Sequence, residues 1–135
     1  MRHRLLLAAS VAAVATALAG CSSGPPTDAS IDAFCGAMED YWVSAESSDR
    51  ADHVRAAESL SATGTPAGSP DYAMRTAQAM ATWLASDRFD DTTYYEVMTS
   101  DQRWDLRDTD LWGQVTCSTG ELGDIEDHPS YRPRP

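Results

Sequence analysis

The chain has 135 residues, with 21 acidic side chains against 10 basic ones and a formal net charge of −11. That length allows one domain at most. The acidic excess argues against nucleic acid as a partner, because proteins that bind it usually carry a basic face.

The chain opens on Met1-Arg2-His3-Arg4, a positive patch, followed by an uncharged run from Leu5 to Ala19 rich in Leu, Ala and Val. At about 15 residues the run is too short to cross a bilayer core as a helix, which takes roughly 20. It fits the apolar region of a signal peptide, which is set apart from fold reasoning. The run ends in Leu18-Ala19-Gly20-Cys21, and Ser22, Ser23, Gly24, Pro25 and Pro26 follow as a flexible tether over residues 21–27.

These four residues match the bacterial lipoprotein signal at every position: Leu, a small residue, Gly or Ala, then Cys. The resemblance implies cleavage after Gly20, so that residues 1–20 are a lipoprotein signal peptide. It also implies a diacylglyceryl thioether on Cys21 and often acylation of the new N-terminus. Two acyl chains would hold the protein stably, where one binds only marginally. The expected location is the cell membrane, lipid-anchored on the extracytoplasmic face. The absence of Lys, with much Ala, Asp and Arg, resembles the usage of a high-GC bacterium of actinobacterial type.

Arg2 and Arg4 fall in the first 20 residues and all 21 acids lie beyond them, so residues 21–135 carry eight arginines against 21 acids, a net charge of −13. Such a charge favours solubility and spacing from an anionic envelope. Of the three cysteines, Cys21 is reserved for lipid. Cys35 and Cys117 remain, an even number in an oxidising compartment, and are expected to form one disulfide.

The helical domain is expected over residues 28–117. A first helix starts at Asp28 or Ser30, both good N-caps. Ile31, Phe34, Cys35, Met38, Trp42 and Ala45 recur at the helical period and form its inner stripe. A second helix runs from about Arg50 to Ala62 behind Ser47-Ser48-Asp49, with Gly64 as its stop. Ser69-Pro70-Asp71 opens a third, with Ser69 as cap, Pro in the first turn and an acid against the helix dipole. It reaches about Ser86, with Ala73, Ala77, Met80, Ala81 and Leu84 inward and Asp71 paired to Arg75. Thr93-Tyr94-Tyr95-Glu96 has the spacing of a capping box and opens a short helix. Ser100-Asp101 either recaps another or lies within one bent helix, and Asp108-Thr109-Asp110 is a candidate start for the last helix, ending near Cys117. No run alternates as a strand would. Residues 118–135 are acidic and Pro-bearing, with Leu122 and Ile125 as the aliphatic side chains, and are expected to form a loose tail. The fold class is therefore all-α: a small bundle of three to five helices stapled by one disulfide.

Chemistry is sparsely signalled. The motifs of serine hydrolases, zinc peptidases, P-loops and dinucleotide-binding folds are missing, and no catalytic residue, metal ligand or cofactor is nominated. His53 and His128 are expected at the surface. Asp101, Asp105, Asp108 and Asp110 lack the order of a calcium loop. With Arg103 and Arg107 interleaved, they are expected to form a solvated, partly salt-bridged face. Most of Trp42, Trp83, Trp104, Trp112, Tyr41, Tyr94 and Tyr95 are expected in the core. The whole resembles small bacterial lipoproteins with a helical, one-disulfide domain, a likeness that implies no activity. The expected role is a non-enzymatic envelope interaction module with a possible envelope protein partner. The alternative is a small-ligand or cation-binding lipoprotein.

Overall fold

The computed structural model describes residues 24–88 and 92–135. The expected signal segment, the expected lipidation site Cys21 and residues 22 and 23 lie outside the described residues. The regular elements of the described part are all helices: α1 (Ile31–Ala45), α2 (Arg50–Thr63), α3 (Asp71–Leu84), α4 (Tyr94–Val97) and α5 (Ser100–Thr119). The four long helices pack in a closed order, α1 on α2, α2 on α3, α3 on α5 and α5 back on α1, while α4 leans on α3. No helix among the described residues is long and apolar enough to cross a membrane.

Local chemistry sets most helix starts. Ser30 caps α1 by accepting from the Ala33 amide at 3.1 Å, and Asp49 caps α2 by accepting from Ala51 at 2.8 Å. The Thr93 capping box forms: Glu96 Oε2 accepts from the Thr93 amide at 2.6 Å, and Thr93 Oγ1 from the Glu96 amide. At α3 the expected cap differs. Pro70 occupies the cap position without a side-chain bond. The Ser69 hydroxyl instead donates to the Pro66 carbonyl at 2.7 Å, closing the preceding turn.

Three helices depart from the sequence expectation. On α3 the buried face is Ala73, Thr76, Met80 and Trp83, while Ala77, Ala81 and Leu84 are half-buried. On α1 the buried face is Phe34, Ala37, Met38, Tyr41 and Ser44, while Ala45 is exposed. The face is rotated because α1 is gripped from two sides. Tyr41 packs with the small Ala56 and Ala57 of α2, and Phe34 meets Trp112 of α5 with ring centroids 5.2 Å apart. On α5, Asp108-Thr109-Asp110 does not start a helix. One continuous helix runs from a Thr99 cap, with Gln102 completing a second capping box. The would-be capping side chains are engaged elsewhere. Thr109 Oγ1 donates to the Asp105 carbonyl at 2.7 Å and meets Thr76 Oγ1 at 3.0 Å, and the Asp108 carboxylate is held by arginines.

The terminal segments are docked, not loose. Ala29 bonds to the Thr65 carbonyl at 3.1 Å and Thr65 to the Pro26 carbonyl at 2.9 Å, so the expected tether lies along the α2–α3 loop from Pro26 onward. Beyond Thr119, Ile125 is 4% exposed and joins the core formed by Phe34, Met38, Ala73 and Trp112. A buried Ile contributes about 1.5–3 kcal/mol, enough to hold a short irregular segment that composition alone would leave free. A second core, Tyr41, Ala57, Met80, Trp83, Tyr94 and Met98, fills the other part of the bundle.

Cys35 and Cys117 are bonded, with Cα atoms 5.5 Å apart, closing a separation of 82 residues. They join α1 to the far end of α5 beside the Phe34–Trp112 core. Reduction of this bond, followed by denaturant unfolding, should show a loss of about 2–5 kcal/mol, the range for a small secreted domain. Gly64 gives a second test. Its φ of 74° and ψ of −154° are open almost only to glycine, and an added Cβ would sit 2.0 Å from the Pro26 carbonyl oxygen. Gly64→Ala should therefore lower stability by about 1–3 kcal/mol in the same assay. An unchanged midpoint would mean that the 26–29 segment does not pack there.

Candidate functional site

The densest chemistry lies on α5. Residues Asp105, Asp108, Thr109, Trp112, Gly113 and Thr116 form its buried face at helical spacing, so a polar stripe sits where an apolar one would be expected. Asp105 and Asp108 are each 4% exposed, which corrects the solvated face anticipated from the sequence. Buried carboxylates must be paired, and three arginines pair them. Arg75 of α3 grips Asp105 with both prongs of its fork at 2.8 Å; it does so in place of a bond to Asp71. Arg107 binds Asp108 from the same helix. Arg134 reaches back from the terminal segment to both carboxylates. Bonding by Arg75, then by Arg134, holds the Asp105 carboxyl below its ordinary value against the opposing pull of burial.

Asp110 behaves in the opposite sense. It points between α5 and α1, where burial raises its pKa to about 6, only partly countered by the Trp42 indole N–H at 3.4 Å. Asp101 is exposed. The four aspartates thus occupy three environments and do not converge. Among the described residues, no group of three or more His, Cys, Asp or Glu is placed to hold a metal ion.

His53 is half-buried, not fully at the surface as anticipated. Its ring stacks at a tilt on Tyr41, centroids 5.2 Å apart, and its Nδ1 lies 3.3 Å from Ser44 Oγ. Burial and then Arg50 lower its pKa. A Ser–His contact invites a nucleophile reading, but the geometry opposes one. Ser44 is buried and donates its proton to the Tyr41 carbonyl at 2.7 Å. The hydroxyl is therefore left to accept from His53, and the imidazole does not act as its base. His128 stabilises a turn by accepting from the Ser130 amide.

The aromatic residues divide. Trp112, Tyr94, Trp83 and Tyr41 are buried, whereas Tyr95 is 60% exposed. Arg103 lies over the Tyr95 ring at 4.8 Å, and Arg107 over the Trp104 ring at 4.2 Å. These two stacks border an open groove of about 500 Å³ that also takes in Leu106 and Asp110. A larger open groove, about 740 Å³, runs between α3, α4 and α5 past Arg75, Gln78, Gln102 and Arg134.

No protein-family model, curated protein or solved structure matches the chain.

The opposite shifts of Asp105 and Asp110 generate a pH test. Asp105 is depressed in the folded state, so its stabilisation is complete above the unfolded value and is lost as pH falls through the folded one, below 3.8. Asp110 is raised, so the folded state binds the extra proton, and stability should fall as pH rises from about 4 to 6. Asp110→Asn should remove that slope. It should also raise stability at pH 7 by on the order of 2 kcal/mol, read from denaturant midpoints across the pH range. A parallel offset at every pH would contradict the burial of Asp110.

Proposed function

We propose that the protein is a lipid-anchored extracytoplasmic protein acting as a non-enzymatic interaction module of the bacterial envelope. The observation that carries this reading is Leu18-Ala19-Gly20-Cys21 directly after a charged patch and an apolar run of signal-peptide length. The Cys35–Cys117 bond supports it, because such bonds persist in oxidising compartments. The net charge of −13 over residues 21–135 disfavours direct adhesion to anionic lipid and leaves anchoring to the acyl chains.

The non-enzymatic part draws on the site chemistry. The carboxylates of Asp105 and Asp108 are neutralised by arginines, and Ser44 and His53 are arranged as a structural contact. What faces outward is the Arg103–Tyr95 stack, with the half-buried Arg107–Trp104 stack beside it. Tyr, Trp and Arg are the residue types that most often dominate binding energy at protein interfaces. A second reading, a small-ligand-binding lipoprotein, draws on the groove of about 740 Å³ beside Arg75 and Arg134; its mixture of polar side chains and an apolar floor is of a kind that small molecules use.

The test is Cys21→Ser, followed by metabolic lipid labelling and cell fractionation. The variant should lose the label and leave the membrane fraction. A variant that stays membrane-bound and is still cleaved after Gly20 would overturn the anchoring.

A further inference from the structure

The groove bordered by Tyr95–Arg103 and Trp104–Arg107 carries more detail than the interaction-module reading, on which this inference rests. Arg107 is committed inward: its guanidinium bonds to Asp108 and to the Arg132 carbonyl while lying over Trp104. Arg103 is different. It is exposed, and among the described residues it forms no ion pair with a carboxylate; its guanidinium rests on the Tyr95 ring. Arg132 too forms no ion pair among the described residues, but its guanidinium is tied to backbone carbonyls; Arg103 is the one that lies over an exposed aromatic ring.

The geometry points to a docking site for a protein partner that presents an acidic side chain next to an apolar one. A guanidinium stacked on a ring keeps its edge N–H donors free in a planar fork, the shape that matches a carboxylate. Stacking also removes rotamer freedom in advance, which lowers the entropy lost on binding. Leu106 and the edge of Trp104 line the groove beside that fork and offer apolar contact.

The other end of the groove is set by Asp110. Above about pH 6 it is a carboxylate, and a second acid there would be repelled, so the partner's charge is placed at the Arg103 end. Carbohydrate is disfavoured because the guanidinium groups already cover a face of each ring, the surface a sugar would stack on. An anionic bilayer is disfavoured because its extended charge would face the whole acidic chain, whereas a single acidic side chain meets only the Arg103 end of the groove.

The test uses the acylated, disulfide-bonded chain in mild detergent as bait for a displayed library of random peptides. A synthetic copy of the selected sequence is then titrated against the native chain and its variants. Selected peptides should carry Asp or Glu beside Leu, Ile, Phe or Trp. Arg103→Glu and Tyr95→Ala should each weaken binding about tenfold or more with an unchanged melting curve. Arg103→Lys should also weaken it, because charge without the fork is insufficient.

Three results would overturn the proposal: no peptide whose binding depends on Arg103, phosphatidylglycerol vesicles that bind in an Arg103-dependent way without a peptide, or self-association abolished by Arg103→Glu. Failure here leaves anchoring untouched, since a chain labelled at Cys21 and retained in the membrane can still lack this peptide site.

Discussion

The bundle depends on one electrostatic constraint: the carboxylates on the inner face of α5 have to be paired with arginines, two of which come from elsewhere in the chain. Asp105 and Asp108 lie one turn apart on the buried side of α5. Leaving either unpaired would cost several kcal/mol, far more than their four ion pairs add in net stability. Arg75 supplies the charge from α3 and Arg134 from the terminal segment, while Arg107 works from within α5. The pairing therefore fixes the rotation of α5 against α3. It also draws residues 118–135 onto the bundle, where Ile125 can enter the core.

The covalent staple acts on a different contact. It ties α1 to α5, whereas the arginines tie α3 and the terminal segment to α5. Helix α5 is thus held on two sides by unlike forces, one insensitive to pH and salt and the other sensitive to both. The outward face of the same helix carries Arg103 and Trp104. A surface built on a helix fixed at its back is already ordered before a partner arrives, which lowers the cost of binding.

Much of this fold was legible in the sequence. The all-α class, the caps at Ser30, Asp49 and Thr93, the stop at Gly64 and the Cys35–Cys117 bond follow from local chemistry and from cysteine count. What escaped was the role of α5, because its inner stripe is made of Asp, Thr and Gly around a single Trp and gives no apolar period. Asp108-Thr109-Asp110 reads as a cap when its tertiary partners are unknown. Of the two alternatives at Ser100-Asp101, the recapping of a new helix is the one that holds; Thr99-Ser100-Asp101-Gln102 is a second capping box that makes Asp108 an interior residue of that helix. The docking of the terminal segment rests on Ile125 and Arg134, single residues in an acidic run, where composition outweighs any one position. At the candidate site, exposure decided the matter. Tyr95 and Tyr94 are adjacent in sequence and alike in chemistry, yet one is 60% exposed and the other 2%.

The most direct measurement is a pH titration of the side-chain carboxyl carbons by NMR on the folded, oxidised chain. With the arginines in place, Asp105 should titrate below its ordinary value of 3.8, while Asp110 on the next turns of the same helix titrates near 6. If Asp105 and Asp110 both titrated together near the ordinary value, α5 would present its carboxylates to water. The arginine constraint on which the bundle is built would then be absent.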